Sequence, residues 1–378
     1  MELLPIHTPT GFDPLTLLSP LADALAGEGP AVAPHSEPGQ QFDGELPNDE
    51  IAAVISTSGS TGLPKQTLLS VDALAASAMG TALALKAEGQ WLLTLPVHYV
   101  AGFQVLVRSL YAGTRPWILD SAESFTADAF TDAAGELTDR VRFTSLVPTQ
   151  LQRLLVDPSP STLKVLKRFD AILLGGAPVG SSLRSEVRKH GLNVVTTYGM
   201  SETCGGCVYD GVPLDGVQVL SEEGRLWIGG PVLADGYLNS PELTDERFPF
   251  NSGQRWFRTD DAGEVAPDGA VSVGGRMDDV IVTGGLKVSA AVVADVIESI
   301  PGVSHALVVG VPSTQWGTAV AAAVVGTAEA QLVRQRVQDV LGAHAVPKSV
   351  LTLDALPLLP GGKPDRRTIQ ALLAKAGS

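Results

Sequence analysis

Cysteine is almost missing from this 378-residue chain: there are two, Cys204 and Cys207, standing together as CGGC. Two thiols cannot build a disulfide framework. The sharp readings of such a pair are a redox dithiol or half of a zinc site. Zinc wants about four ligands, and no second CxxC or HxxxH stretch is present to complete them. A redox pair would open a helix in a small thioredoxin-like unit. The plain reading is two small residues in a tight glycine loop. Positive charge is the second shortage. Lys and Arg number 26 against 41 Asp and Glu, a formal net charge of −15, and none occurs before Lys65. So acidic a chain repels phosphate backbones and anionic lipid, which argues against nucleic-acid and membrane-surface partners. Any anionic ligand must be met by local cations. A secretory signal needs a basic n-region, so the apolar LTLLSPLADALAG near the start is not read as one. Nor does an apolar run reach the roughly 18–20 residues of a membrane span. A cytoplasmic protein without membrane insertion is expected.

What is present is hydrophobic material, 44% of residues, with 40 glycines and 26 prolines. The length is too great for one core of ordinary size, so two domains are expected. Residues 1–50 read as an irregular segment with one short helix. IAAVIST (51–57) is a β-rich run feeding a glycine loop, the usual setting for anion binding. Helical and strand patterns then alternate to about residue 204, implying right-handed βαβ crossovers and a largely parallel sheet. From about 205, short strands broken by glycine turns (GRLWIGG, GAVSVGG) suggest an antiparallel sheet or barrel. After GGRMDD a third texture follows, with the amphipathic SAAVVADVIESI, two apolar strands and another helix, about the size of a small domain. The fold class is therefore α/β: a large N-terminal domain of layered α/β sheets with a small β-barrel-like part (1–277), plus a small α+β C-terminal domain (278–378), the boundary at Asp278.

The glycine loop itself is STSGSTGLPK (56–65), with five hydroxyl side chains, two glycines and Lys65. The Walker pattern fails on spacing, because Pro64 precedes Lys65 and Gln66 follows it. Backbone N–H groups and hydroxyls could still cradle phosphate, with Lys65 as counter-charge. Alone, a Ser/Gly loop is more often a linker. Five further stretches stand behind it in a fixed order: GGAP (175–178), YGMSE (198–202), WFRTDD (256–261), GGRMDDVIVTGG (274–285) and LPGGKPDR (359–366).

Over roughly residues 50–370 this ordered set resembles the adenylate-forming superfamily of acyl- and aryl-CoA synthetases, peptide-synthetase adenylation domains and luciferases. The resemblance implies ATP, Mg²⁺ and coenzyme A as reactants and cofactors. A carboxylate joins the α-phosphorus of ATP, pyrophosphate leaves, and a thiol then displaces AMP. Both steps build negative charge, so oriented donors and cations matter more than a nucleophilic side chain. By resemblance, Thr57, Ser58, Gly59, Ser60, Thr61, Gly62 and Lys65 wrap the outer phosphates. Gly175, Gly176 and Ala177 flank the adenine. Tyr198, between Thr197 and Gly199, stacks on it, and Ser201 meets the α-phosphate. Glu202 ligates Mg²⁺ as a hard oxygen donor. Asp261 takes the ribose hydroxyls, and Arg276 reaches the ribose and phosphates. The family's usual Thr-Gly-Asp is here Thr259-Asp260-Asp261, so two carboxylates compete and register favours Asp261. Lys363 is the implied catalytic lysine of adenylation, with Thr57 and Glu202 beside it. Asp278 matches the hinge about which the C-terminal domain rotates, and Gly284 and Gly285 line the pantetheine tunnel once it has.

The choice of acid rests on PVHYVAGFQVLVRSLYAG (96–113). An Arg amid apolar residues is costly to bury unless it meets an anion, although a snorkelling or internally paired arginine is the ordinary alternative. With SLVPTQLQRLL (145–155) and YGMSETCGGC, the segment resembles the o-succinylbenzoate–CoA ligases of menaquinone biosynthesis, in a short form. Their substrate carries two carboxylates, one activated and one a charged passenger. Arg108 is the implied partner of the passenger, with Tyr99, Thr144, Ser145, Gly176 and Thr283 as further contacts. Tyr99 stands where the family usually has histidine, with His98 as its neighbour, so no histidine role carries over. The shortened N-terminal part implies a surface that a homodimer would cover. Rival readings are a CoA ligase for another aryl or short acyl acid, an enzyme loading a carrier protein, and a non-catalytic nucleotide-binding protein. Intact Lys65, Glu202, Asp261 and Lys363 argue against the last.

Overall fold

A computed structural model of the chain describes residues 2–57, 65–119, 125–358 and 364–376. The first part runs β1 (Leu3–His7), α1 (Leu18–Leu25), β2 (Ala31–His35), β3 (Ile51–Thr57), β4 (Lys65–Ser70), α2 (Val71–Leu85), β5 (Gln90–Leu93), α3 (Val100–Tyr111) and β6 (Trp117–Ile118). Next come α4 (Ala127–Gly135), β7 (Arg142–Leu146), α5 (Pro148–Leu155), α6 (Pro160–Leu166), β8 (Ala171–Leu174), α7 (Ser181–His190), β9 (Val194–Met200), β10 (Gly205–Tyr209) and β11 (Val212–Pro213). The shorter strands follow: β12 (Gln218–Glu222), β13 (Arg225–Gly229), β14 (Gly236–Tyr237), then α8 (Pro241–Arg247), β15 (Phe250–Asn251), β16 (Gln254–Val265) and β17 (Val271–Arg276). The C-terminal part is β18 (Val280–Thr283), β19 (Leu286–Ser289), α9 (Ala290–Glu298), β20 (Val303–Ser313), β21 (Gly317–Gly326), α10 (Ala330–Leu341), β22 (Ser349–Leu353) and α11 (Arg366–Ala376).

Two sheets with helices between and outside them make the layers of the large part. One has the order β1-β2-β3-β4-β14, the other β11-β10-β9-β8-β7-β5-β6. In the second, β5 through β9 are mutually parallel, as the βαβ alternation predicts, and β10 and β11 turn back antiparallel. Its strands are apolar on both faces because both are covered. Ala171 and Leu173 of β8 join Leu74, Phe103 and Leu106 of α2 and α3, while Ile172 and Leu174 join Phe130, Leu151 and Leu183 of α4, α5 and α7. β12, β13, β15, β16 and β17 form the antiparallel sheet expected from the glycine-broken stretch. The C-terminal part has its own core of Ile281, Val293, Ile297, Val320, Val333 and Val337.

Residues 1–50 depart from the expectation. They carry two parallel strands, β1 and β2, beside α1, rather than an irregular run. Pro5 and Pro34 hide these strands from pattern reading, because proline breaks the ladder and is confined to edges and irregular positions. β2 is buried throughout, yet it meets β3 only at Val32 and Ala53. Among the described residues no helix is long and apolar enough to cross a membrane.

Candidate nucleotide and acid site

The parallel strands end together along one rim, where open α/β sheets bind ligands. Thr94 follows β5, Ser145 lies near the end of β7, Gly175 to Ala177 follow β8, and Thr197 to Met200 end β9 with Ser201 next. The rim is tied laterally: Thr94 Oγ1 donates to the Ser145 carbonyl (2.6 Å) and Gly175 N–H to the Leu146 carbonyl (3.2 Å). A side chain at Gly175 would collide with the Thr197 hydroxyl, and Gly176 has φ +82°. The GGAP turn therefore needs its glycines to stay flat against β9.

Tyr198 and Asp261 come together across two sheets. The Tyr198 hydroxyl donates to Asp261 Oδ2 at 2.7 Å, and burial, then the adjacent carboxylate, push that phenol well above its usual range. Asp260, its strand neighbour, faces three arginines instead: Arg247 at 2.6 Å, Arg225 at 3.5 Å and Arg276 at 3.5 Å. Partial burial opposes its ionisation, but the Arg247 hydrogen bond and the charges of Arg247, Arg276 and Lys65 outweigh it and hold the carboxyl below the usual range. Arg276 lies opposite Asp261 in the β16–β17 register.

The hairpin of β3 and β4 brackets the loop that the motif reading singled out. Thr57 and Lys65 face each other at its base, with Thr57 Oγ1 3.5 Å from the Lys65 carbonyl. Ser58, Gly59, Ser60, Thr61 and Gly62, and Lys363, lie outside the described residues. Lys65 Nζ sits 5.4 Å from the ring centroid of Tyr237, whose hydroxyl donates to Glu202 Oε1 at 2.8 Å. Ser201 and Glu202 occupy a buried turn after β9. Tyr237, Arg225 and Arg247 are not among the motif residues, whereas Arg276 is. GYLN gives no hint that a tyrosine will reach back 35 residues to a glutamate.

Helix α3 begins at the rim with Tyr99 as its N-cap and descends to Arg108 in its last turn. Nine residues at about 1.5 Å each put Arg108 roughly 14 Å below the rim. Its side of the helix is polar and buried. Gln104 donates to the Cys204 carbonyl at 2.7 Å and has its Oε1 unpaired. Arg108 is 7% exposed, lies 5.1 Å from the Trp91 ring and reaches Tyr209 Oη at 3.4 Å, while its Nε has no partner. Among the described residues no carboxylate lies within ion-pair distance of it. A cavity of about 30 Å³ beside the guanidinium, between α2 and α3, has room for water.

The other named positions scatter. Thr144 spends its hydroxyl on the Leu92 carbonyl (3.0 Å), and Thr283 is buried in the β18–β19 hairpin of the C-terminal part, not beside α3. Asp278 falls in the short 3₁₀ turn Met277–Asp279 between β17 and β18. Gly284 and Gly285 are the two-residue turn of that hairpin, with φ +56° and +81°, which alone calls for glycine. A Cβ on Gly284 would also stand 2.9 Å from the Trp316 ring, whereas Gly285 faces open space. His98 Nδ1 is 3.0 Å from Thr8 Oγ1, which itself donates to the His35 carbonyl, so the ring donates from Nδ1. Burial, then His35, lower His98 to about 4. Cys204 and Cys207 are free, fully buried thiols whose ionisation burial disfavours, Cys207 being pushed up to about 12. They are core residues beneath α2 and α3. Among the described residues no cluster of three or more metal-binding side chains occurs.

The family model described as "AMP-binding enzyme" matches residues 16–238, and "AMP-binding enzyme C-terminal domain" matches 293–363. The chain belongs to the AMP-binding enzyme family. It is 38% identical to a "Probable 2-succinylbenzoate–CoA ligase" of Mycobacterium tuberculosis, over 96% of this chain and 97% of that one. It is 30% identical to the "Long-chain-fatty-acid–CoA ligase FadD13" of the same species, over 90% of this chain and 70% of the relative. The solved o-succinylbenzoate CoA synthetase of Bacillus subtilis, in complex with the acyl-adenylate intermediate, superposes with a TM-score of 0.73 at 26% identity, covering 87% of this chain and 70% of that one. The AMP-binding family's fold is thus the arrangement described above.

Proposed function

We propose that the protein ligates 2-succinylbenzoate to coenzyme A at the expense of ATP, through an acyl-adenylate, releasing pyrophosphate and then AMP. The observation that carries the choice of acid is Arg108: a buried guanidinium with an unpaired Nε and, among the described residues, no acid partner, down the helix that starts at the rim. Burying a charge is tolerated when an anion meets it. A fatty acid, as the name of the FadD13 relative would suggest, offers nothing to this group. The passenger carboxylate would seat on Arg108 from the rim side, leaving the succinyl carboxylate near Ser145 and the GGAP turn.

The succinyl oxygen attacks the α-phosphorus, the bond to the bridging oxygen breaks, and pyrophosphate departs toward Lys65. In this reading Tyr198, Gly175, Gly176 and Ala177 hold the adenine, Asp261 the ribose, Ser201 and Arg276 the phosphates. Glu202 would hold Mg²⁺, which shields the charge of the triphosphate. The fit is chemical: a buried hard oxygen donor with no cation paired to it among the described residues suits an ion that takes one or two carboxylates and completes its shell with phosphate oxygens and water. Lys363 serves the first step. Rotation about Asp278 then withdraws it and brings Gly284 and Gly285 to the pantetheine arm, whose thiol attacks the acyl carbon as AMP leaves.

The test is pyrophosphate release over a panel of carboxylic acids, with and without coenzyme A. The strongest release is expected with 2-succinylbenzoate, with CoA thioester formed without any carrier protein. Equal release with monocarboxylic aryl or acyl acids would overturn the choice of substrate.

A further inference from the structure

Tyr237 touches both of the groups assigned to the triphosphate end of the nucleotide. It is 3% exposed, on β14, which pairs with β4 at Thr67, two residues from Lys65. Its hydroxyl donates to Glu202 Oε1 (2.8 Å), and its ring faces Lys65 Nζ at 5.4 Å. The ring packs against Phe248 (5.7 Å), and its backbone N–H is held by Thr244 Oγ1 (2.9 Å), so the side chain is fixed from behind. A tyrosine that only filled core would not need its hydroxyl in this place.

We propose that Tyr237 is a positioning residue for the metal-bound nucleotide. Its hydroxyl occupies one oxygen of Glu202, leaving the other as the oxygen that would hold Mg²⁺, and its ring steadies the Lys65 ammonium that would meet the phosphates. The inference rests on the reading of Glu202 as the metal ligand. Carboxylate ligands are oriented by hydrogen bonds of this kind, and losing one costs about 10–100-fold in metal affinity. The ring's attraction for an ammonium is the weaker contribution.

The test is ATP binding by isothermal titration calorimetry across a Mg²⁺ series and in EDTA, with the wild type, Tyr237→Phe, Tyr237→Leu and Glu202→Gln. Phe keeps the ring and volume. It should raise the Mg²⁺ concentration giving half-maximal enhancement of ATP binding about tenfold, with ATP affinity in EDTA unchanged. Leu removes the ring as well and should weaken binding in EDTA about threefold. Glu202→Gln should abolish the Mg²⁺ enhancement. If Glu202→Gln abolishes it while Tyr237→Phe follows the wild-type Mg²⁺ curve, Tyr237 is packing and the proposal fails. If Glu202→Gln itself keeps the wild-type curve, the metal reading falls and takes the proposal with it. Thermal melts of each variant show that the comparison is between folded proteins.

Discussion

Replacing Arg108 separates the proposed substrate from every monocarboxylic acid. The guanidinium is buried with one nitrogen unpaired, and its hydroxyl contact to Tyr209 is long at 3.4 Å. A hydrogen bond to a charged group contributes about 1.5–3 kcal/mol. At 1.36 kcal/mol per factor of ten that is about 10- to 150-fold in kcat/KM. The passenger carboxylate keeps its charge throughout the reaction, so ground state and transition state lose equally, and the effect belongs in KM. The assay is pyrophosphate release with 2-succinylbenzoate and with the same acid lacking its ring carboxylate. Wild type should prefer the diacid by that factor, and Arg108→Ala should prefer neither. Arg108→Met, which keeps much of the volume, should behave as Ala does, so a cavity is not the cause. Both variants should fold, since the change removes an uncompensated buried charge. If either retains the wild-type preference, the passenger carboxylate is held elsewhere and the reading of α3 is wrong.

Lys363→Ala should lose adenylation yet still form thioester from supplied adenylate; an equal fall in both half-reactions would contradict the two-pose mechanism. Gly284→Ala forces a positive φ on a residue with a Cβ and crowds Trp316, so it should cost about 1–3 kcal/mol of stability in denaturant unfolding, and a silent substitution would refute the hairpin account. Glu298 on α9 lies against Gly180 at the start of α7, where burial pushes its carboxyl up to about 7, Ala306 N–H opposing and Asp295 adding to the rise. A raised carboxylate contributes stability that is complete below its ordinary value near 4.5 and is lost as pH rises through about 7. Glu298→Gln should therefore gain melting temperature relative to wild type between about pH 4.5 and 7; parallel profiles would show that the contact does not titrate.

The longer strands and helices between residues 51 and 341 are legible where a turn signal bounds them, whereas two-residue strands such as β6, β14 and β15 are not. IAAVIST is a strand over its full length, and SSLRSEVRKHG is a helix ended by Gly191 at φ +65°. The N-terminal strands were not, since a proline in each masks a pairing that only the third dimension supplies. The resemblance assigns the glycine pair at 284–285 to the pantetheine tunnel. The hairpin turn requires it whether or not an arm passes, because both residues have positive φ. Tyr237, the Gln104 contact to Cys204, and Arg225 and Arg247 beside Asp260 were invisible for a common reason. Each acts through a partner far away in sequence, and no local periodicity encodes such a pairing.

The two adjacent aspartates show how far register alone reaches. β16 carries extra residues against β13 just here, between Arg258 and Ala262, and the two aspartates take different partners there: Asp260 the arginines, Asp261 the Tyr198 hydroxyl. The spacing of the motif favours Asp261, and the strand gives it Tyr198 as a neighbour. The sequence does not say why a carboxylate stands at 260, where the family usually has glycine. The cage answers that: Arg225, Arg247 and Arg276 converge there with Lys65 close enough to affect its ionisation, and four cations gathered without an anion would repel one another. Asp260 holds them together in a basin of local cations, Arg247 also meeting Glu246 at 3.6 Å, in a chain of formal charge −15. An acidic protein that binds a triphosphate needs such a basin. Asp260→Gly, which restores the usual residue, should therefore unfold the arginine cluster more than it improves nucleotide binding. The melting temperature should fall, and ATP affinity measured by calorimetry should not rise; tighter ATP binding in a protein of undiminished stability would show that Asp260 merely repels the nucleotide.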